Sequence, residues 1–384
     1  MNGFKSPYVP GWDTHGLPTE IKARTKFGAE KAKQMSDLEI RKLCKEFALG
    51  YVKKQKEGFK RLGVLGDWNN PYVTLYPEYE AEQVRTFAKM ASKKGTIYRG
   101  LRPVYWCPSC ETALAEAEIE YHNDKCHSIY VKFPVVDDKG KLSKMGIDVS
   151  NTYFVIWTTT AWTLPANVAI CVGPEFEYAI VKSGEEYYIV ADVLKEKVMQ
   201  AADIENYELV GKILGSDLEY MQAHNPFLDR NSLIIVGDHV TTESGTGCVH
   251  TAPGHGAEDF EVCKNYKNLP VIVPVNSKGV LTSEAGNFAG LDIHKAGKAI
   301  YDYLKETGYL FASKTFEHQY PHCWRCKSEI IFRATEQWFC SVDNFKKEAL
   351  EAVETVNWNP AWGKDRMISM ISERKDWCIS RQRV

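Results

Sequence analysis

Apolar side chains recur every three or four positions near the start of the chain, a pattern typical of helices that pack along one face. Residues 21–62 are predicted to be helical on this ground, and Ser36 with Glu39 forms a capping-box pattern inside the stretch. The apolar side of this predicted helix is formed by Ile40, Leu43, Phe47 and Tyr51. The first twenty residues, rich in Pro and Gly, predict an ordered loop that leads into it.

A second helix is predicted from Pro77 to Lys94, with Gly95 placed to end it. Its apolar side comprises Val84, Phe87 and Met90 or Ala91. From residue 128 to residue 275 the pattern changes to short apolar runs broken by Gly, Asp and Asn, which predicts a β-rich domain. A helix over 291–307 and a tail of helix and loop over 344–384 are predicted after it.

Length and composition favour a soluble globular protein of two or three domains, since 384 residues carry 44% apolar and 26% charged side chains. The apolar runs are too short to span a bilayer, and residues 1–5 lack the features of a signal peptide. We therefore expect a cytoplasmic protein without a membrane partner. A net charge of -2 neither supports nor excludes an RNA partner.

Four of the eleven cysteines form two Cys-x-x-Cys pairs, Cys107 with Cys110 and Cys323 with Cys326. In an intracellular protein this pattern favours metal over disulfides, and two pairs can supply the four corners of a closed structural zinc site. Four reduced thiols, or two separate half-sites, are the alternatives. His322 precedes the second pair and receives no role from its position in the sequence.

Two further segments carry candidate chemistry. Four threonines and an asparagine crowd the end of a predicted strand, where hydroxyls can bind a sugar edge or a water molecule: Thr158, Thr159, Thr160, Thr163 and Asn167. Threonine is also common in strands, and the pattern alone favours that structural explanation. In the glycine-rich segment 245–260, Asp259 lies near a predicted helix start, where it can cap the helix or bind an ammonium group. His250 and His255, each taken singly, are expected to pack or to form hydrogen bonds.

Six blocks in this order resemble bacterial-type isoleucyl-tRNA synthetases, a branch of class I, over nearly the whole chain: PGWDTHGLPTE, VYWCPSC, WTTTAWTLPAN, GTGCVHTAPGHGAEDF, HCWRCKSEIIFRATEQWF and RKDWCISRQRV. Thr14 and His15 match the isoleucyl type, whereas leucyl enzymes have Ala-Phe there. Leucyl and valyl enzymes also carry Thr-Arg-Pro in the third block. Ala161 stands where the family has proline, and Thr19 where it has isoleucine.

The resemblance implies an α/β fold: a partial doubly wound (Rossmann-type) catalytic domain with an inserted β-rich editing domain and a small zinc-binding module. The implied boundaries are 1–100 and 336–384 for the catalytic domain, 101–127 and 316–335 for the zinc-binding module, and 128–315 for the editing domain.

The resemblance also implies roles for individual residues. Pro10, Gly11 and Asp13 would line the amino-acid pocket, with Asp13 meeting the substrate ammonium, although Asp13 also suits a loop or cap. The threonines and Asn167 would position the terminal adenosine and the attacking water. His250 would exclude isoleucine by size, and Asp259 would anchor the α-amino group.

The activity implied is isoleucine–tRNA ligation with hydrolytic editing of valyl-tRNA(Ile). Zinc, ATP with magnesium, tRNA(Ile), isoleucine and valine would be bound by the complete enzyme, which we expect to be a monomer. The His-Ile-Gly-His and Lys-Met-Ser-Lys-Ser elements that hold ATP in the family are not among these residues, so we expect no adenylate formation by this chain alone. Two alternatives stay open: a noncatalytic, zinc-stapled tRNA-binding module, and a chain that lacks too much of its nucleotide-binding sheet to fold stably.

Overall fold

The computed structural model describes residues 3, 5–32 and 34–382, which divide into two compact units. The terminal unit contains the residues up to Arg99 and those from Trp338 onward, and the central unit contains Gly100–Gln337. No helix among the described residues is long and apolar enough to cross a membrane.

The α-helices of the described residues are α1 (Leu17–Phe27), α2 (Ala29–Ala32), α3 (Asp37–Arg61), α4 (Pro77–Lys89), α5 (Lys195–Ala201), α6 (Gly215–Leu218), α7 (Ala257–Cys263), α8 (Ile293–Glu306), α9 (Asp343–Glu354) and α10 (Gly363–Ser372). The strands are β1 (Gly11–Trp12), β2 (Tyr72–Val73), β3 (Ile97–Cys107), β4 (Thr112–Leu114), β5 (Ile119–Asp137), β6 (Thr152–Thr158), β7 (Ala169–Val172), β8 (Glu177–Ser183), β9 (Glu186–Ala191), β10 (Glu208–Leu214), β11 (Gln222–His224), β12 (Asn231–Val236), β13 (Cys248–Thr251), β14 (Leu310–Cys323), β15 (Ile331–Cys340) and β16 (Trp377–Cys378).

The helical character predicted for residues 21–62 is confirmed, but the segment is divided into α1, α2 and α3 instead of forming one helix. Gly28 ends α1 with φ 112°, a conformation that side chains other than glycine rarely adopt. The capping box is confirmed at the start of α3: the Ser36 hydroxyl accepts from the Glu39 amide, and the Glu39 carboxylate accepts from the Ser36 amide at 2.8 Å. The chain is therefore helical where predicted but turns twice.

The second predicted helix is confirmed in extent. α4 continues into a wider π-helical turn, Met90–Lys94, and Gly95 ends it with φ 60°. No residue of α4 is buried, and Val84 is 68% exposed. Phe87 and Met90 line a cavity of about 450 Å³ in the terminal unit, and the Phe87 ring meets Trp338 edge to face at 5.9 Å between centroids, so the apolar side of this helix is only partly covered.

A sheet of ten strands dominates the central unit, in the order β10-β8-β9-β6-β13-β7-β12-β11-β5-β14. The β-rich character predicted for residues 128–275 is confirmed. Strands β6 and β7 lie inside this sheet, and all four residues of β7 are fully buried. The outer pair β5–β14 is antiparallel from Leu310↔Val131 to Cys323↔Ile119. Both of its strands run without interruption across the predicted boundaries at 127/128 and 315/316.

Helix α8 agrees with the helix predicted over 291–307, and Asp292 caps it by accepting hydrogen bonds from the His294 and Lys295 amides, each at 3.1 Å. In the terminal unit, β1 pairs in parallel with β2, and β15 pairs antiparallel with β16. A doubly wound nucleotide-binding sheet stays a prediction.

Candidate functional site

A buried hydrogen-bond network joins three of the predicted site residues in the central unit. His250 lies on β13, which runs parallel to β6 with Val249 opposite Trp157, so the end of β6 is brought beside it. The His250 ring contacts Thr163 through Nε2 at 3.0 Å and Asn167 through Nδ1 at 2.8 Å. All three side chains are buried.

The partners of Asn167 determine which ring nitrogen of His250 carries the proton. Asn167 Nδ2 donates to the Ala169 carbonyl at 2.8 Å, while its Oδ1 accepts from the Ser232 hydroxyl, so the nitrogen must be the atom that faces His250. His250 Nδ1 therefore accepts, and Nε2–H donates to Thr163 Oγ1. The Thr163 hydroxyl in turn donates to the Thr160 carbonyl at 2.8 Å. His250 is thus held as one neutral tautomer with both nitrogens occupied.

Two contributors to this site were missed by the sequence analysis. Ser232 is fully buried and orients Asn167, and Arg230 donates to the Pro165 carbonyl at 2.6 Å, beneath the turn that follows β6. The signal for Ser232 was a hydroxyl residue inside the otherwise apolar run of β12. Nothing in the pattern around Arg230 distinguishes it from a surface arginine.

The remaining threonines shape the turn itself. Thr158, at the end of β6, accepts a hydrogen bond from the Thr160 amide at 3.0 Å. A short 3₁₀ helix, Ala161–Ala166, follows and includes Thr163. It forms although Ala161 replaces the proline of the family pattern. Thr159 and Thr160 are half-buried, so the turn presents part of its polar surface to solvent.

Asp259 lies in the first turn of α7, as predicted, but it does not cap the helix. Its carboxylate accepts from the Ala252 amide at 2.9 Å, and Ala252 follows the end of β13, two residues after His250. Burial raises the pKa of Asp259, and the Ala252 hydrogen bond opposes the shift. No lysine or arginine among the described residues pairs with this carboxylate, and the charge that lowers its pKa is that of His239. A ligand cation would supply the missing partner.

Two glycines of this segment lie close against the protein's own chain. A Cβ atom at Gly254 would lie 2.1 Å from the Ile272 carbonyl oxygen. One at Gly256 would lie 2.6 Å from the Asp259 carboxylate. These positions keep the turn close to its neighbours and leave room for the Asp259 side chain.

His255 is a second buried histidine, as expected of a packing residue. Its Nδ1–H donates to the Phe332 carbonyl at 2.8 Å, and its ring meets Trp162 edge to face at 5.0 Å between centroids. Burial lowers its pKa to about 4. Burial, with His255 and Arg230 nearby, lowers the pKa of His250 to about 3.

These two pKa values predict a pH dependence of stability. An unfolded histidine titrates near about 6.5, so the stability that the neutral rings contribute is fully present above that pH and is lost as pH falls toward about 3 or 4. We expect the free energy of unfolding to fall by up to about 1.4 kcal/mol per pH unit for each histidine. Urea unfolding of wild type and His250→Gln between about pH 7 and pH 5 measures this. Equal slopes for the two proteins would contradict the prediction.

The four cysteines of the two pairs meet in the central unit. Their sulfur atoms all lie within 4.8 Å of one another, with 3.4 Å between Cys107 and Cys326. Cys107 and Cys323 are fully buried, and Leu114 and Ile330 pack around them in an apolar shell. None of these four cysteines forms a disulfide. Hydrogen bonds from the neighbouring sulfurs raise the pKa of Cys107 and lower that of Cys323. The cluster has the donor set and closed geometry of a structural metal site.

Both pairs use the same local geometry. Each begins where a strand ends, at Cys107 of β3 and at Cys323 of β14. Each is followed by a residue with positive φ, Glu111 at 50° and Lys327 at 61°. The Cys110 amide points at Cys107 Sγ at 3.3 Å. The two turns therefore bring the four sulfur atoms close together. The sequence alone indicates only the spacing of the cysteines within each pair.

The residues predicted for an amino-acid pocket lie in the terminal unit. Pro10 is buried, and Gly11 lies on β1, where a Cβ atom would overlap the Tyr72 ring at 2.0 Å. Asp13 is exposed, and its carboxylate accepts a 3.4 Å hydrogen bond from the His15 amide, which is the local turn contact expected of a loop residue. A pocket role for these three residues stays a prediction.

The chain matches a family model described as tRNA synthetases class I (I, L, M and V) over residues 1–384. An isoleucine–tRNA ligase of Caldicellulosiruptor saccharolyticus is 56% identical over 384 residues, which cover 100% of this chain and 41% of that protein. The ligase of Natranaerobius thermophilus is 56% identical over 385 residues, with the same coverage. The chain thus spans about two fifths of the length of these curated relatives.

Among solved structures, the editing domain of the P. knowlesi cytosolic leucyl-tRNA synthetase matches with a TM-score of 0.41 and 12% identity, covering 50% of this chain and 98% of that domain. A TM-score this low does not establish a shared fold. The family match covers every residue of the chain, and on that match the chain belongs to the class I tRNA synthetases of the I, L, M and V group.

Proposed function

We propose that the chain is part of an isoleucine–tRNA ligase and that its central unit hydrolyses valyl-tRNA(Ile). The observation that carries the proposal is the Thr163–His250–Asn167 hydrogen-bond network. It joins two residues predicted to position the adenosine and the attacking water to the histidine predicted to exclude isoleucine by size. Isoleucine and valine differ by one methylene, which a binding pocket can distinguish by only about 1–3 kcal/mol. A second, hydrolytic site has a physical purpose in such an enzyme.

In this proposal His250 acts by its shape. Both ring nitrogens are occupied and its pKa is lowered to about 3, so it cannot accept a proton from water near neutral pH. A rigid neutral ring can still exclude a larger side chain by steric contact. The hydroxyls of the turn after β6 would orient the terminal adenosine and the attacking water, a contribution of positioning rather than of proton transfer.

Asp259 would bind the α-ammonium of the aminoacyl ester. A partly buried carboxylate with one amide donor and no lysine or arginine partner among the described residues gains from a charge-assisted contact, beyond the interaction with His239. The ammonium of the ligand would lower the raised pKa of the Asp259 carboxyl and so favour its ionised form. The ester carbonyl would then be held in one orientation beside the polar turn.

The remaining proposals concern the bound ions and partners. Zinc fits the four-cysteine cluster, where Cys107, Cys110, Cys323 and Cys326 would hold it as a closed structural site. Isoleucine and tRNA(Ile) are proposed for the complete ligase from the names of its relatives, and ATP with magnesium and valine from the family resemblance. We also propose a cytoplasmic monomer.

The test is deacylation by the 384-residue chain of tRNA(Ile) carrying either amino acid. We expect the valyl ester to be hydrolysed at least about tenfold faster than the isoleucyl ester, the ratio that one methylene supports. His250→Ala should bring isoleucyl hydrolysis up to a rate close to that for the valyl ester. His224→Ala, which replaces a half-buried histidine of β11 in the same sheet, is the matched control.

Binding of tRNA without cleavage of either ester would reject the proposal and favour the noncatalytic RNA-binding module. An unchanged preference in His250→Ala would reject the size-limiting role alone.

A further inference from the structure

His322 takes no part in the proposed function, yet it does not lie alone. Its ring and the carboxylates of Asp124 and Glu329 present ligand atoms that all lie within 4.8 Å of one another. We propose that these three side chains form a second metal site, separate from the four-cysteine cluster, for zinc or a chemically similar divalent transition-metal ion.

The backbone holds the three residues in place. Asp124 lies on β5, and His322 lies near the end of β14, its antiparallel neighbour. Glu329 follows the turn of the second cysteine pair, and an isolated β-bridge pairs it with His322. The ligand atoms are therefore carried by a strand pair and its adjoining turn, which is the kind of rigid support that a metal site requires.

The orientation of the His322 ring suits a metal ligand. Nδ1 lies 3.0 Å from the Tyr320 carbonyl oxygen, which can only accept, so Nδ1 carries the proton and Nε2 has a free lone pair. Histidines that bind metals are commonly oriented by a second hydrogen bond of this type. Nε2 lies 3.3 Å from Asp124 Oδ2. Two ligands at about 2.0–2.1 Å from one ion at a tetrahedral angle are separated by about 3.3–3.4 Å.

A direct hydrogen bond between His322 and Asp124 is the simpler alternative, and the geometry disfavours it. In the part of the chain that the structure describes, Asp124 Oδ2 is buried and accepts no hydrogen bond, although Nε2 is near. A buried carboxylate oxygen without a partner is costly. A cation between the two atoms would satisfy both of them at once.

The donor set indicates the class of ion. One imidazole and two carboxylates favour zinc and neighbouring transition metals over magnesium or calcium, which prefer oxygen ligands alone. Glu329 is partly exposed, so water can reach the ion and complete its coordination. The Glu329 carboxylate also lies 3.6 Å from His294 Nδ1. We therefore expect this ion to exchange faster than one held by four thiolates.

Cobalt substitution tests the proposal, because thiolate and nitrogen–oxygen sites differ in their visible spectra. Purified chain loaded with Co²⁺ and desalted is expected to hold two ions, one giving intense thiolate charge-transfer bands and one giving only weak bands. The double variant Asp124→Asn and Glu329→Gln should hold one ion and keep the thiolate bands. Glu120→Gln, on the same strand and paired with Lys327, is the matched control and should hold two.

A single ion in the wild type, or two ions in the double variant, would overturn the proposal. Loss of the thiolate bands in the double variant would also overturn it, because the two sites would then not be separate. Thermal melts of the metal-free proteins verify that the carboxamide variants fold like the wild type. None of these readouts depends on ester hydrolysis.

Discussion

Asp259→Asn is expected to slow hydrolysis of the valyl ester by about ten- to a hundredfold, which corresponds to losing one charge-assisted contact of about 1.5–3 kcal/mol. Asparagine keeps an oxygen that can accept the Ala252 amide at the same position, so the turn before α7 should be preserved. The variant therefore removes the charge and retains the local fold. Deacylation rates and thermal melts of the same preparations measure the two effects separately.

Glu258→Gln is the control for this variant, since it removes a carboxylate from the neighbouring, exposed position of α7. Its hydrolysis rate should equal that of the wild type. Asp259→Ala adds a second comparison, because it also leaves the Ala252 amide without its acceptor and should melt lower. Normal hydrolysis by Asp259→Asn would show that the carboxylate serves only the turn, through its bond to Ala252.

Cys323→Ser combined with Cys326→Ser is expected to abolish thiolate-bound metal and to destabilise the central unit by more than about 3 kcal/mol, because structural zinc contributes roughly 10–16 kcal/mol in small zinc-finger peptides. The cluster ties the end of β3 to the end of β14. Without an ion, the four sulfur atoms would lie together in largely apolar surroundings, held only by contacts with one another and with nearby backbone amides. Removing the metal should therefore loosen both turns.

The measurement is metal content by elemental analysis together with melting of the chain before and after chelation. Cys44→Ser, a cysteine outside the cluster, should retain the metal and the wild-type melting temperature. A wild-type chain that melts at the same temperature with and without its thiolate-bound metal would show that the cluster is not a structural centre.

The sequence predicts local structural features correctly where these features depend on residues that are close together in the chain. The Ser36–Glu39 capping box and the end of the second helix at Gly95 each depend on contacts within a few positions. The break at Gly28 was missed because the apolar pattern on either side of it is compatible with one continuous helix. Periodicity predicts which face of α4 is apolar but not whether a neighbour covers it, and no residue of this helix is buried.

The sequence by itself determined which residues were candidates: the two cysteine pairs, the threonine-rich turn, His250 and Asp259. The tertiary structure alone decided how they combine. Thr163 and His250 are 87 positions apart, and Ser232 and Asn167 are 65 apart, so no local pattern could show that these four side chains form one directed network. Asp124 likewise becomes a candidate ligand only in the tertiary structure, because the pairing of β5 with β14 brings its unpartnered oxygen close to His322. Hydrogen-bond direction and burial depend on distant strands meeting in register, whereas caps and turns depend on adjacent residues.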